Sequence, residues 1–336
     1  MGIYDDIKNF NKQFEYDPVI ENAKKLALSK VKGFVVAGMG GSHLAADLIR
    51  VWRPDFPLVT WNDYGLPPLP HAELKKRLVI AVSYSGNTEE TISVFLEAKK
   101  KRIPVAAVAS GGKLIRLAQK SKTPYVEMPD LHVQPRLATG LMLKAILKLV
   151  GERSALAEAG ELAKTLRPVR YEHAGRDLAK RLHGSVPIIY SSVRNAPIAQ
   201  NWKIKFNETG KIPAFWNVVP EMNHNELTGF SAGGGSAFGG DVHSEIRKLS
   251  KRFHFIFLKD RDDNRQIMKR MNVMERLLRE RGFKIEVVLL HDHDRPFLKI
   301  FQALTLADWT AYYTAKMYNV DPERVPMVEE FKNLIR

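Results

Sequence analysis

There is no cysteine in the 336 residues. That absence excludes disulfides, thiolate metal sites and cysteine nucleophiles. It fits a reducing compartment without requiring one. Long apolar runs are missing too: none approaches the ~20 residues that a membrane-spanning helix needs. The N-terminus, Met1-Gly2-Ile3-Tyr4-Asp5-Asp6, lacks the basic-then-apolar order of a secretion signal. Asp6 stands where a myristoylation motif needs Ser or Thr. The expectation is a cytoplasmic protein with no membrane partner.

What is present suits two α/β units of similar size, with 45% hydrophobic and 26% charged residues. Lys and Arg number 52 against 37 Asp and Glu, a formal net charge of +15. Such a balance fits nucleic acid or an anionic substrate. The basic residues are spread along helical stretches, and no helix-turn-helix, zinc finger or ribonucleoprotein motif accompanies them. We therefore expect a solvated basic surface that favours small anions, and no nucleic-acid partner.

Along the chain, Tyr4 to Ser29 reads as one helix from the spacing of Ile7, Phe10, Phe14, Ala23, Leu26 and Leu28. Apolar runs then predict strands at 33–38, 58–61, 78–82, 105–108 and 125–128. Helical patterns of ten to fifteen residues alternate with them, at 42–51, at 88–101 and after Gly111-Gly112. That alternation means βαβ units and a parallel sheet. A long helical region covers Gly140 to Arg167. The passage to a second unit is expected within it, near Glu152-Arg153-Ser154, giving units 1–153 and 154–336. The second unit repeats the grammar: a strand at 186–192 ending in Ser191-Ser192, a helix from Pro197 to about Phe206, strands at 253–258 and 285–290, and helices over 265–281 and 296–318. The expected fold is α/β, with two similar domains facing each other, each a mostly parallel sheet flanked by helices, and a site between them.

Two segments carry chemistry. Gly38-Met39-Gly40-Gly41-Ser42-His43 lets backbone N–H groups approach an anion at a helix start. It has His43 where the dinucleotide fingerprint needs glycine, and it lacks the Gly-Lys-Ser/Thr of a nucleotide loop. By itself it is as much a tight turn as a ligand loop. Ser83-Tyr84-Ser85-Gly86-Asn87-Thr88 is stronger, with three hydroxyls within six residues where a strand meets a helix. Hydroxyl donors, free N–H groups and the positive helix end suit a phosphate monoester. Helix capping by Ser and Thr is the plainer alternative; it explains one hydroxyl easily and three less easily. His291-Asp292-His293-Asp294 offers four ligands for a metal, but neighbours in a strand point to opposite faces and no third spaced ligand follows. No metal and no cofactor are expected. Ser231 to Gly240 has five glycines in ten residues and reads as a flexible loop, a candidate mobile lid.

The Gly-x-Gly-Gly-Ser turn followed by Ser-x-Ser-Gly-Asn-Thr-Glu-Glu-Thr resembles the sugar isomerase (SIS) domain of phosphosugar isomerases and sugar-sensing regulators. In the second half, Asn207-Glu208-Thr209-Gly210-Lys211, Pro220-Glu221-Met222-Asn223-His224-Asn225-Glu226-Leu227 and the ending Tyr312 to Pro322 resemble the bifunctional phosphoglucose/phosphomannose isomerases of archaea and some bacteria. The resemblance runs through nearly the whole chain. It implies interconversion of fructose 6-phosphate with glucose 6-phosphate and mannose 6-phosphate through an enediolate. Glu208 is then the base, Arg136 the cation at the oxyanion, and His224 and Lys316 the ring-opening groups. Gly41, Ser42, Ser83, Ser85 and Thr88 hold the phosphate. It also implies a homodimer, with His224 supplied across the interface. A sugar-phosphate-sensing module or another phosphosugar isomerase is the alternative. In the family a small polar residue stands near Asp308-Trp309-Thr310 and makes room for either C2 epimer. A pocket-facing Trp309 would exclude mannose 6-phosphate, and a pocket-facing Thr310 would admit both sugars.

Overall fold

The computed structural model describes residues 2–233, 244–291 and 294–335. The chain divides into two compact units, one of residues 8–167 and one of residues 1–7 with 168–336. The first helix, α1 (Ile3–Lys8), runs up to the start of the N-terminal unit. Tyr4 on it donates to the Glu172 carboxylate at 3.2 Å and stacks edge-on against Trp309 in the C-terminal unit.

The N-terminal unit alternates strands and helices: β1 (Gly33–Ala37), α2 (Gly41–Trp52), β2 (Leu58–Trp61), α3 (His71–Leu74), β3 (Arg77–Val82), α4 (Glu89–Lys100), β4 (Val105–Ala109), α5 (Gly112–Lys120), β5 (Tyr125–Glu127), α6 (Thr139–Val150) and α7 (Arg153–Thr165). Its five strands are all parallel, in the order β2-β1-β3-β4-β5. The central strands GFVVA, RLVIAV and VAAVA are nearly continuous apolar runs because helices cover both faces. Val35, Val79, Ala81, Phe95, Ala107 and Leu114 lie in one core on this sheet.

The C-terminal unit holds α8 (Glu172–Leu182), β6 (Val186–Ser192), α9 (Ala196–Glu208), β7 (Phe215–Val219), α10 (Ser244–Ser250), β8 (Phe253–Asp260), α11 (Arg265–Glu280), β9 (Lys284–Leu290), α12 (Pro296–Met317) and α13 (Pro326–Leu334). Its strands are again parallel, in the order β7-β6-β8-β9. The core on one face is aromatic and methionine-rich: Tyr190, Phe230, Phe255, Phe257, Met271 and Met274. Phe230 meets Phe255 edge-to-face at 4.9 Å. The chain is thus an α/β protein of two parallel-sheet units with flanking helices, as its pattern implies.

Three features differ from the sequence reading. The first thirty residues are not one helix: after α1 come short 3₁₀ turns at Phe10–Glu15, Ala23–Lys25 and Leu28–Lys30. The early break serves a distant helix. Gln13 is buried, donates to the Leu137 carbonyl, and accepts from the Gly140 and Leu141 amides at the start of α6. It supplies the cap that Ala138, at the N-cap position, cannot. Second, the passage between units falls at residues 167 and 168 rather than 153 and 154. Helix α7 packs on α6 and on the Phe10–Glu15 turn, and so stays with the N-terminal unit. Third, β7 adds an edge strand beyond those the pattern predicts. Of the glycine-rich stretch, Ser231–Gly233 close the 3₁₀ segment Glu226–Gly233, and 234–240 lie outside the described residues, as do Asp292 and His293.

Candidate active site

In the N-terminal sheet the winding reverses between β1 and β3, and ligands of such sheets sit beyond the carboxyl ends of the strands at that reversal. Both loops singled out from sequence begin there. Gly38–Gly41 follows β1 and Ser83–Thr88 follows β3.

Ser83, Ser42 and Thr88 meet at this point. Ser83 Oγ lies 2.8 Å from Thr88 Oγ1 and accepts from the Gly86 amide at 3.1 Å. Ser42 Oγ accepts from the Tyr84 amide at 3.3 Å. Thr88 occupies the N-cap position of α4 but makes no side-chain capping bond. The plain capping account of the three hydroxyls therefore fails at the residue best placed for it. Ser85 is exposed and accepts from the Asn87 amide at 3.3 Å.

The loop is rigidly held. Gly86 has φ +68°, and a β-carbon there would lie 1.9 Å from the Gly111 carbonyl oxygen. Only glycine fits. Leu114 N donates to Gly86 O at 2.8 Å, and Lys113 N to Asn87 Oδ1 at 3.0 Å. At the head of α2, a β-carbon on Gly41 would lie 2.8 Å from the Pro135 carbonyl, so this glycine lets the Pro135–Leu137 turn approach. Arg136 on that turn is buried, with Nη1 3.3 Å from Gln134 Oε1.

Two supporting residues escaped the sequence reading. Tyr84 OH donates to Asp130 Oδ1 at 3.3 Å and accepts from Leu131 N, tying the β3 loop to the segment that carries Arg136. Burial and Asp130 push its hydroxyl up to about 12, so it stays a donor. His43 is buried with Nδ1 2.8 Å from Asp47 Oδ2. Its i,i+4 spacing to Asp47 is the signal that could have found the pair. The structure thus brings Gly41, Ser42, Ser83, Thr88 and Arg136 together, with Ser85 on the same loop.

Glu208, His224 and Lys316 stand on three elements of the C-terminal unit. Glu208 is the last residue of α9 and half-buried. The helix end is fixed by Thr209 N and Gly210 N donating to Lys205 O, and by Asn207 Nδ2 donating to Ile212 O at 2.9 Å. Lys205 is itself buried in an ion pair of 2.5 Å with Asp308 of α12. In the Asn-His-Asn-Glu segment, three side chains are committed to scaffolding. Asn223 Nδ2 meets the sulfurs of Met222 and Met274, Asn225 Nδ2 donates to Glu221 Oε1 at 2.9 Å, and Glu226 accepts from Tyr190 OH at 2.6 Å and from Asn217. Burial pushes the Tyr190 hydroxyl far up, which keeps it the donor. His224 is exposed and its ring has no hydrogen-bond partner among the described residues. Lys316, also exposed, sits in the last turn of α12 with Nζ 6.0 Å from the Tyr312 ring centroid. Trp309 is buried, donates to Pro168 O at 2.8 Å and packs on Tyr4, Tyr312 and Tyr313. Thr310 is buried with its hydroxyl on Leu306 O.

Among the described residues no three His, Asp or Glu side chains gather to hold a metal ion.

The model of the bacterial phospho-glucose isomerase C-terminal SIS domain matches residues 172–335. The chain is 30% identical to a bifunctional phosphoglucose/phosphomannose isomerase of Aquifex aeolicus over 340 residues, 99% of this chain and 98% of that one. The chain belongs to the bifunctional phosphoglucose/phosphomannose isomerase family. A second protein of the same name, from Caldicellulosiruptor bescii, is 30% identical over 99% of this chain and 97% of its own. The structure of tagatose-6-phosphate ketose/aldose isomerase from Escherichia coli superposes with a TM-score of 0.66, covering 95% of this chain and 94% of that one at 15% identity. At that identity the likeness shows a shared fold. The matched SIS domain begins four residues after the observed start of the C-terminal unit at Pro168.

The C-terminal unit of this family member has a winding reversal of its own, between β6 and β8, and its contents differ. Ser192 Oγ donates to Asp263 Oδ1 at 2.6 Å, and Asn195 Nδ2 donates to Asp260 Oδ2 at 3.1 Å. Lys299 from α12 reaches Asp260 Oδ2 at 2.8 Å and Asp262 Oδ2 at 2.7 Å. Burial and the neighbouring Asp260 raise the Asp263 carboxyl against the opposing pull of Ser192, Asn195 and Arg194. The sequence offers the same strand-then-serine signal here, but the serine is spent on an internal network.

Proposed function

We propose that the protein interconverts fructose 6-phosphate with glucose 6-phosphate and mannose 6-phosphate through an enediolate. The observation that carries this reading is that Ser83 and Thr88 hydroxyls meet and Ser42 Oγ reaches the Tyr84 amide at the carboxyl ends of β1 and β3, where the turn bearing the buried Arg136 packs against Gly41. Gly41, Ser42, Ser83, Ser85 and Thr88 are the phosphate site, where hydroxyls and backbone amides meet a dianion. With the chain opened, the Glu208 carboxylate takes the proton from C2 of the aldose. The electron pair passes to the carbonyl oxygen, and Arg136 stabilises the resulting enediolate. Glu208 then returns the proton to C1 while the C2 hydroxyl proton passes to the C1 oxygen, giving the ketose. His224 and Lys316 move the protons that open the ring, between the anomeric hydroxyl and the ring oxygen.

This route draws on no metal and no cofactor. Trp309 is committed to packing, which removes the bulky group the sequence offered for excluding the mannose epimer. The working form is a cytoplasmic homodimer in which His224, free of scaffolding duties, serves the partner's site.

The test is a coupled assay on fructose 6-phosphate with glucose 6-phosphate and mannose 6-phosphate detected separately. Glu208→Gln should lower kcat about 10³-fold, the scale of a lost general base, while the circular dichroism spectrum is unchanged. Turnover undiminished in Glu208→Gln would overturn the assignment of the base. Binding of sugar phosphate without any turnover would leave a sensor instead of an enzyme.

A further inference from the structure

The C-terminal helix α13 buries none of its residues. Met327, Phe331 and Leu334 are 81%, 59% and 78% exposed, and Val328 and Ile335 are exposed beside them. At ~100° per residue these five fall on one stripe roughly 120° wide, the pattern of a helix made to lie in a groove. Glu330 flanks the stripe on one side and Lys332 on the other. An exposed stripe of this kind marks an interaction surface.

The same unit carries a groove of about 330 Å³ against α11, unfilled among the described residues. Its floor is apolar, from Leu227, Val273, Met274 and Leu277, and its edge is cationic, from Lys269 and Arg270. Neither cation is paired among the described residues, and neither is Glu330. The amide oxygen of Asn223, the neighbour of His224, is buried at the groove without a hydrogen-bond partner. Helix and groove therefore match in kind: an apolar stripe with an acid at its edge, and an apolar trough with cations at its edge. Within one chain they remain apart, since α13 buries nothing.

We propose that α13 of one chain lies in the α11 groove of a second copy, and the reverse contact closes a two-fold dimer. Phe331 and Leu334 sit against Val273, Met274 and Leu277, and Glu330 faces Lys269 and Arg270. A reciprocal exchange of this kind is self-complementary and closes without leaving a free surface to propagate. It names the surface of the homodimer proposed above, and its readout is mass rather than turnover, so it fails or stands independently of the isomerase reading. It also presses the partner's helix against the turn that carries His224, which gives dimerisation a route to the site.

Sedimentation equilibrium of the full chain over a concentration series tests this. The unaltered chain should be a dimer. Phe331→Asp with Leu334→Asp alters only exposed positions and should weaken dimerisation at least about a hundredfold, the loss of a hot-spot pair. Glu330→Arg and Arg270→Glu should each weaken it by about fivefold, and the two combined should recover it to within about twofold. Three results would overturn the proposal: a monomer at all concentrations, a dimer indifferent to the α13 changes, or charge-reversal variants that weaken singly and do not recover together. Concentration-independent protection of α13 from hydrogen exchange in a monomer would show docking within one chain and would overturn it equally.

Discussion

The two winding reversals occupy the same topological place and have been given opposite chemistry. At β1/β3 the chain supplies glycines, three hydroxyls and a cation brought in on Arg136. At β6/β8 it supplies Asp260, Asp262 and Asp263, with the Lys299 ammonium already bound to two of them. An incoming phosphate would find donors at the first and buried carboxylates at the second. The comparison teaches that the parallel-sheet plan creates a place for an anion, and the side chains decide whether the place stays open. In the C-terminal unit the cation that would have drawn an anion comes from within the fold.

The largest effect expected from breaking this comparison is at the closed reversal. Lys299→Met would take the Lys299 ammonium away from Asp260, which has no solvent exposure. Removing one partner of a buried pair costs about 3–5 kcal/mol, and urea unfolding should show that loss. Next is the open reversal's rigidity. Gly86→Ala forces a side chain into positive φ and into the Gly111 carbonyl, and should destabilise the N-terminal unit by about 3 kcal/mol.

A smaller and more selective effect is expected from Ser85→Ala. Its hydroxyl is exposed and scaffolds only the adjacent Asn87 amide, so stability should hold. Loss of one hydrogen bond to a charged phosphate should raise KM for fructose 6-phosphate about tenfold or more with kcat nearly unchanged. Parallel losses of kcat and thermal midpoint would assign Ser85 to the scaffold instead.

The smallest is a pH effect. The Asp263 carboxyl is raised in the folded protein above its ordinary value near 3.8, so its contribution to stability is full in acid and is lost as pH rises through the raised value. Asp263→Asn keeps an acceptor for Ser192 and cannot ionise. Unfolding free energy measured from pH 3.5 to 7 should fall less steeply in the variant than in the unaltered chain. Equal slopes would mean that Asp263 ionises as readily folded as unfolded.

Much of this was legible beforehand. Runs such as LVIAV and VAAVA announce strands buried on both faces, and the glycines and hydroxyls that follow them announce loops at the sheet's carboxyl edge. The motif around Glu208 and His224 was legible too, though not its internal division of labour. Nothing local says that Glu226 is spent on Tyr190 and Asn217 while the exposed His224 has no hydrogen-bond partner among the described residues. The Asp308-Trp309-Thr310 ambiguity also had no local answer, because Pro168, which accepts from the Trp309 indole, lies 141 residues away.

By itself, then, the sequence determined the α/β class, the positions of most strands, the loops that carry glycines and hydroxyls at the sheet's carboxyl edge, and the family. These follow from periodic burial and from residue types set within a few positions of one another. Tertiary structure alone decided that the first helix stops at Lys8, because Gln13 is needed at α6 across 127 residues. It alone placed the unit boundary after Arg167, through the packing of α7. It alone closed the second reversal, where Asn195 and Asp260 meet across 65 residues. A serine after a strand reads the same in both halves of the chain; what stands opposite it is fixed only when distant segments pack.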